Sequence, residues 1–336
     1  MSHSLSAPQN RAAGEGSAPR HAVETNGAQG GSATDERRAP VREFSSRFSG
    51  NKVGFGKLVK SEFIKITSLR STYWLLGIAF ALTVGFAALF TIAVNSTVDS
   101  VKNPPEGMPP GMGSTMDAAR EVAMHLPIVG AFFSILVFGA WAVTTIAGEY
   151  GTGMIRSTMT AAPKRWPALL AKLLVTLLVA AVVAFLAFLA SYGLGQVMTP
   201  SEVHFGLGDG NVMRSILMTV LYVVLVVLMG FGLGLLTRNA AGGIVTIVGI
   251  LFALPLISGI FGGMVDWVGD AARFLPSNLG QTMGAVTDAA APNTGAESAG
   301  SNTPTPIKWN EAALWLALES GVIWLLGMIT AQKRDV

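Results

Sequence analysis

The sequence predicts an all-α polytopic membrane protein, and three observations carry that prediction. Half of the residues are hydrophobic, 51% against 13% charged, and the mean hydropathy is +0.51. The apolar residues gather into runs of about 20, the length a helix needs at about 1.5 Å per residue to cross roughly 30 Å of hydrocarbon. The loops between those runs alternate in charge, as the two sides of a membrane require.

Residues 1–49 are rich in Ser, Ala, Gly and Arg, with neither an apolar run nor a hydrophobic period. Such a segment buries too little surface to offset chain entropy, so it reads as a disordered cytoplasmic tail. No apolar core follows its first basic residues, so it does not read as a cleaved signal peptide.

Residues 50–336 read as one transmembrane domain. It opens with "VGFGKLVKSEFIKITSLRS", an amphipathic helix expected over 53–70: Phe55, Leu58, Val59, Phe63, Ile66 and Leu69 recur at helical steps, and Lys57, Lys60, Ser61, Lys65 and Ser68 fill the other face. A basic helix of this kind lies along an anionic bilayer surface, with Lys57, Lys60, Lys65 and Arg70 at the headgroups and Phe63 in the lipid.

Six spans follow, at about 73–94, 128–147, 169–192, 215–236, 241–261 and 311–331. Between them lie two long outer loops, 95–127 and 262–310. In the second, Val265, Val268, Ala272 and Leu275 recur at helical steps opposite Asp266, Asp270 and Arg273, which predicts a short interfacial helix.

The charges orient the spans. Lys52, Lys57, Lys60, Lys65, Arg70, Arg156, Lys164, Arg165, Lys172, Arg238, Lys333 and Arg334 fall on one side, against Glu62, Glu149 and Asp335. Acids outnumber bases on the other side, where Lys102, Arg120, Arg214, Arg273 and Lys308 meet Asp99, Glu202, Asp209, Asp270 and more. Basic loops stay in the cytoplasm, so both termini are expected there.

Several chemistries lack a foothold. There is no cysteine, and His3, His21, His125 and His204 are scattered, so neither a thiolate site nor a paired-histidine zinc site can be assembled. Gly56 and Lys57 mimic a phosphate-binding loop, but Asn51 stands where the motif opens on glycine and Leu58 where magnesium needs a hydroxyl. Met108, Met112, Met116 and Met124 beside His125 raise a soft-metal reading, for which a Pro- and Gly-rich loop is the simpler account. No nucleophile–base set is present either, so the chain is read as non-enzymatic.

Within the spans, the pairs Gly230 and Gly234, Gly259 and Gly263, and Ala180 and Ala184 each share a helix face and allow close packing. Glu319 is an acid deep in the last span. A charge there is costly, which leaves open a transport-path role and a hydrogen-bonded packing role.

The segment "AGEYGTGMIRSTMTAAPKRW" between the second and third spans is too short for a domain. Gly148, Gly151 and Gly153 are expected to break the span, and "MIRSTMT" is long enough for a short cytoplasmic helix suited to docking in another protein.

Here the sequence shows a resemblance. "SEFIKITSLRSTYWLL" with "GEYGTGMIRSTMTAAPKRWPALLAKLL" resembles bacterial permease subunits of type 2 ATP-binding-cassette (ABC) exporters, and "RFLPSNLGQ" and the closing "KRDV" extend the likeness over about residues 55–336. The resemblance implies a six-span half-transporter of the bacterial cell membrane that pairs as a homodimer or heterodimer. It also implies cytoplasmic ABC ATPase subunits that bind ATP and magnesium, this chain carrying no cofactor.

Carried over residue by residue, Glu149, Tyr150, Gly151, Thr152, Arg156, Thr158 and Arg165 match the loop that serves the family as its coupling helix. The amphipathic segment takes the place of the connecting helix. Glu319 has no place in that pattern, and nothing points to nucleic acid. Two rivals remain: a secondary transporter using Glu319, and a membrane scaffold or sensor that only anchors a partner.

Overall fold

A computed structural model describes residues 54–104, 115–154, 165–209, 211–262, 264–286 and 307–333. The tail at 1–49 and, apart from Met154, the docking helix expected around "MIRSTMT" lie outside these. Among the described residues the chain is all helix and loop, with no strand.

Helix α1 (Phe55–Ser68) is the expected amphipathic segment. It ends where Leu69 takes an extended conformation (φ −81°, ψ 119°), and α2 (Arg70–Lys102) starts immediately after. The Tyr73 hydroxyl donates to the Thr67 carbonyl at 2.7 Å across this elbow. After α2 come α3 (Met116–Met124), α4 (Ala131–Gly151), α5 (Arg165–Met198) and α6 (Val212–Thr237). Then follow α7 (Ala240–Val248), α8 (Leu254–Phe261), α9 (Asp266–Ala272), α10 (Pro276–Gly284) and α11 (Trp309–Lys333).

Six of these units are long and apolar enough to cross a membrane: α2, α4, α5, α6, α7 with α8, and α11. They reproduce the predicted spans in number and order. Several overshoot them: the 33 residues of α2 reach about 50 Å at the helical rise, well past the hydrocarbon thickness.

The fifth span is not a plain α-helix. A π-helical turn, Gly249–Ala253, joins α7 to α8, and Pro255 accounts for it. Proline lacks an N–H and its ring crowds the carbonyl four residues back, that of Leu251. The wider turn makes room for the ring, and the Leu251 carbonyl accepts a hydrogen bond from Ser277 Oγ at 2.7 Å instead. A hydroxyl on α10 thereby satisfies a backbone group that the span cannot satisfy itself.

Helix α6 is the centre of the bundle and its most buried span. It packs on α4 and α11 through glycines. A Cβ on Gly230 would stand 2.7 Å from the Gly139 carbonyl oxygen of α4, and one on Gly232 would stand 2.7 Å from Trp324 Cα of α11. The predicted faces at Gly230 and Gly234 and at the buried Ala180 and Ala184 are thus packed. Gly259 has open space around it, and its partner Gly263 lies outside the described residues.

Two further helices, α3 and α10, lie in the stretches between spans. Thr115 caps α3 by accepting the Ala118 N–H at 3.2 Å. Helix α10 buries Leu279, Gly280 and Met283 against α6 and α11, where the sequence had indicated only loop. The short helix α9 matches the interfacial helix expected in the second outer loop.

Candidate functional site

Four charged side chains meet where α1, α4 and α5 converge. Lys172 Nζ of α5 lies 2.7 Å from Glu149 Oε1 of α4 and 3.0 Å from Glu62 Oε2 of α1. Lys65 Nζ lies 2.7 Å from Glu62 Oε1 and 3.5 Å from Glu149 Oε1. Each lysine thus bridges both carboxylates, and Glu62, Glu149 and Lys172 are buried.

The set balances two negative charges with two positive ones. Bringing four charges out of water costs several kcal/mol per ion, which only close mutual pairing offsets, so removing one partner leaves a charge the site cannot tolerate. The contact from Lys172 to Glu62 Oε2 is short but poorly directed for a hydrogen bond, so it acts mainly as an ion pair. Burial of Lys65 opposes its charge, yet its hydrogen bond to Glu62 and the charge of Glu149 outweigh that and hold the ammonium above its ordinary value.

The next residue along α4 is braced on a different neighbour. The Tyr150 ring lies under the Arg238 guanidinium, 5.1 Å from carbon to centroid. Arg238 caps α6 in the left-handed region (φ 52°) and its Nη2 reaches the Thr330 carbonyl of α11 at 3.5 Å. On the far side of the loop, Trp166 at the start of α5 meets Trp324 of α11 edge to face, with centroids 6.4 Å apart.

The described residues that flank positions 155–164 are therefore anchored on both sides. Glu149 and Tyr150 tie the preceding side to α1, α5 and the turn after α6. Trp166 and Lys172 tie the following side to α11, α1 and α4.

The predicted site residues divide accordingly. Gly151 and Thr152 are exposed, and the Thr152 hydroxyl closes α4 by donating to the Gly148 carbonyl at 2.9 Å. Gly148 and Gly151 were expected to break the span, but both stay within α4, and it is Gly153 that leaves the helix with φ 72°. Arg156 and Thr158 lie outside the described residues. Arg165 is the first residue of α5.

Lys57, Lys60 and Phe63 of α1 and Arg70 at the start of α2 are exposed, while Lys65 turns toward the cluster. Glu62 was missed as a site residue, although the signal was present: it sits between Leu58, Val59 and Ile66 in the middle of the apolar arc. Lys172, alone in "PALLAKLLVTLL", carried the same signal.

A family model described as ABC-2 family transporter protein matches residues 110–329. The chain belongs to that family. It is a multi-pass membrane permease component of the ABC-2 type, a class that works with ATP-binding subunits. No curated protein matches it. The ABC-2 match includes Glu149 and Lys172 but begins after α2, so the buried cluster ties the matched region to Glu62 and Lys65 on the helix that precedes it.

In this ABC-2 chain Glu319 is half-buried in α11, and its Oε2 has no hydrogen-bond partner among the described residues. Ser320 Oγ and Trp324 Nε1 on the same helix share that condition. Among the described residues no group of acidic or histidine side chains could hold a metal ion.

Proposed function

We propose that this chain is the transmembrane half of an ABC exporter, working as a dimer and driven by ATP hydrolysis on separate cytoplasmic ATPase subunits. The observation that carries the reading is the anchoring of the residues on both sides of positions 155–164 by the Glu62–Lys65–Glu149–Lys172 cluster and the Tyr150–Arg238 and Trp166–Trp324 contacts.

A loop fixed at both ends transmits a push where a loose one would absorb it. Docked in an ATPase, the segment with Arg156, Thr158 and Arg165 would move when ATP and magnesium close the ATPase dimer. The ion cluster would carry that movement to α1, α4 and α5 together, and Arg238 and Trp324 would pass it to α6 and α11. Rocking of one bundle against its dimer partner would then open a path between them toward the outside. The excess of basic residues around the cluster supports its placement on the cytoplasmic side of a bacterial cell membrane. The wide exposure of the fifth span supports pairing with a second permease.

The test is co-purification of the membrane-embedded chain with the ABC ATPase of the same cell, followed by ATP turnover with and without Met154–Ala162 scrambled. Complex formation that is lost with the scramble is the expected result. An ATPase that binds the scrambled chain equally well would overturn the docking role.

The buried Oε2 of Glu319, without a hydrogen-bond partner among the described residues, favours one second reading, ion-coupled transport through α11. Transport driven by a proton gradient without any ATPase, and abolished by Glu319→Gln, would select it.

A further inference from the structure

A cavity of about 350 Å³ opens between α2, α4, α6 and α10, at the end of the bundle remote from the ion cluster. Its size falls within the range of small-molecule pockets, roughly 300–1,000 Å³. Its floor is apolar and buried, formed by Ile135 of α4 and Leu251 of the π-helical turn. Among the described residues no Asp, Glu, Lys or Arg lines it; His125 does, with its Nδ1 3.0 Å from the Glu121 carbonyl oxygen.

The polar groups of the wall are unequally occupied. Thr219 Oγ1 donates to the Ser215 carbonyl at 2.8 Å, and Ser277 Oγ donates to the Leu251 carbonyl at 2.7 Å, so both hydroxyl protons are used within the protein. Tyr222 differs. It is 5% exposed and lines the cavity, yet its hydroxyl makes no hydrogen bond among the described residues. Its ring is pressed against Gly280, where a Cβ would collide with it, so the phenol is fixed in place. The residue is buried but its oxygen faces the cavity, so the hydroxyl is available to donate to an acceptor on an occupant there.

We propose that this cavity is a binding site for a small, uncharged amphipathic molecule, whose hydroxyl or carbonyl oxygen accepts the Tyr222 hydroxyl proton and whose apolar body fills the space between Ile135 and Leu251. An uncharged ligand is favoured, because an ionised one would lose its hydration with no carboxylate, ammonium or guanidinium in the described lining to replace it. The exposed Gln281 amide stands at the rim, where a second polar group of the ligand would meet it. The site lies within one bundle, so the inference concerns binding alone and does not rest on the transport reading.

The probe is 4-(hydroxymethyl)benzophenone, an uncharged photoreactive alcohol, applied to the full chain in lipid nanodiscs and mapped by peptide mass spectrometry. Saturable labelling on peptides containing Ile135 or Leu251 is expected. Tyr222→Phe should raise the half-saturating concentration about tenfold, the effect of one lost hydrogen bond. Gln281→Trp changes only the exposed rim and should lower the labelling without altering the elution profile of the protein. Labelling spread over outward residues such as Leu89 and Ile92 would overturn the proposal. So would cavity labelling that Tyr222→Phe leaves unchanged, which would mark an apolar occupant such as an acyl chain.

Discussion

Lys172 Nζ lies 2.7 Å from Glu149 Oε1, a buried ion pair that joins the last turn of α4 to the start of α5. Its environment decides what a substitution does. Lys172→Met leaves Glu62 and Glu149 facing each other with only the half-buried Lys65 between them, which should destabilise the bundle by about 3 kcal/mol. Adding Glu149→Gln restores charge balance, so the double variant should lose less than Lys172→Met alone. Thermal unfolding in detergent, followed by size exclusion, checks the order; equal losses would show that the carboxylates are not electrostatically coupled.

Arg238 offers a test that separates backbone from side chain. Both Arg238→Ala and Arg238→Gly remove the guanidinium from the Tyr150 ring, but only glycine accepts φ 52° without strain. The glycine variant should therefore be the more stable by about 1 kcal/mol. Unfolding midpoints in reverse order would mean that the left-handed turn contributes nothing.

The glycines of α6 and α11 predict a contrast along similar lines. Gly232→Ala drives a methyl group into the Trp324 backbone, and Gly327→Ala drives one to 2.6 Å from the Gly232 carbonyl oxygen. Neither neighbour is a flexible side-chain end, so each change should cost about 1–3 kcal/mol. Gly259→Ala meets nothing within 4 Å, and the better helix propensity of alanine should leave the bundle unchanged or stabilised by up to about 1 kcal/mol. A shared loss at all three positions would contradict the packing described here.

The spans were legible because the bilayer imposes a length and a composition that no other environment demands. The amphipathic segment was legible as a helix, but its facing was only half so. Lys65 reads in the sequence as a headgroup contact, and it turns inward because Glu62 interrupts the apolar arc and draws it there. Helix α10 left little trace, since Gly280 and Ser277 owe their burial to Tyr222 and to the Leu251 carbonyl, partners far off in sequence. The same holds for the cavity beside Tyr222, which no local pattern marks.

The surface ties around the loop after α5 carry the pH dependence. Glu202 accepts a hydrogen bond from Lys102 at 2.7 Å, linking the end of α2 to the loop after α5. Asp209 accepts from the Gly206 N–H at 2.7 Å and from Arg120 of α3 at 2.8 Å. Lys102 chiefly holds Glu202 below its ordinary value, and the Gly206 amide chiefly does so for Asp209. A carboxylate that is more acidic in the closed loop than in the open one favours closure above the ordinary carboxylate range. That advantage fades as the pH falls through about 4 toward the lower closed-state values. Both groups are at the surface, so the effect is local and leaves the spans intact. The chain has no cysteine, so Ser201→Cys gives a single attachment point for a spin label. Its mobility should be low at neutral pH, rise as the pH drops below about 4, and be high at neutral pH already when Asp209→Asn is added. A spectrum that stays constant between neutral pH and pH 3 would show that these ion pairs do not hold the loop, and that the packing of Val203 and Phe205, both buried, does so alone.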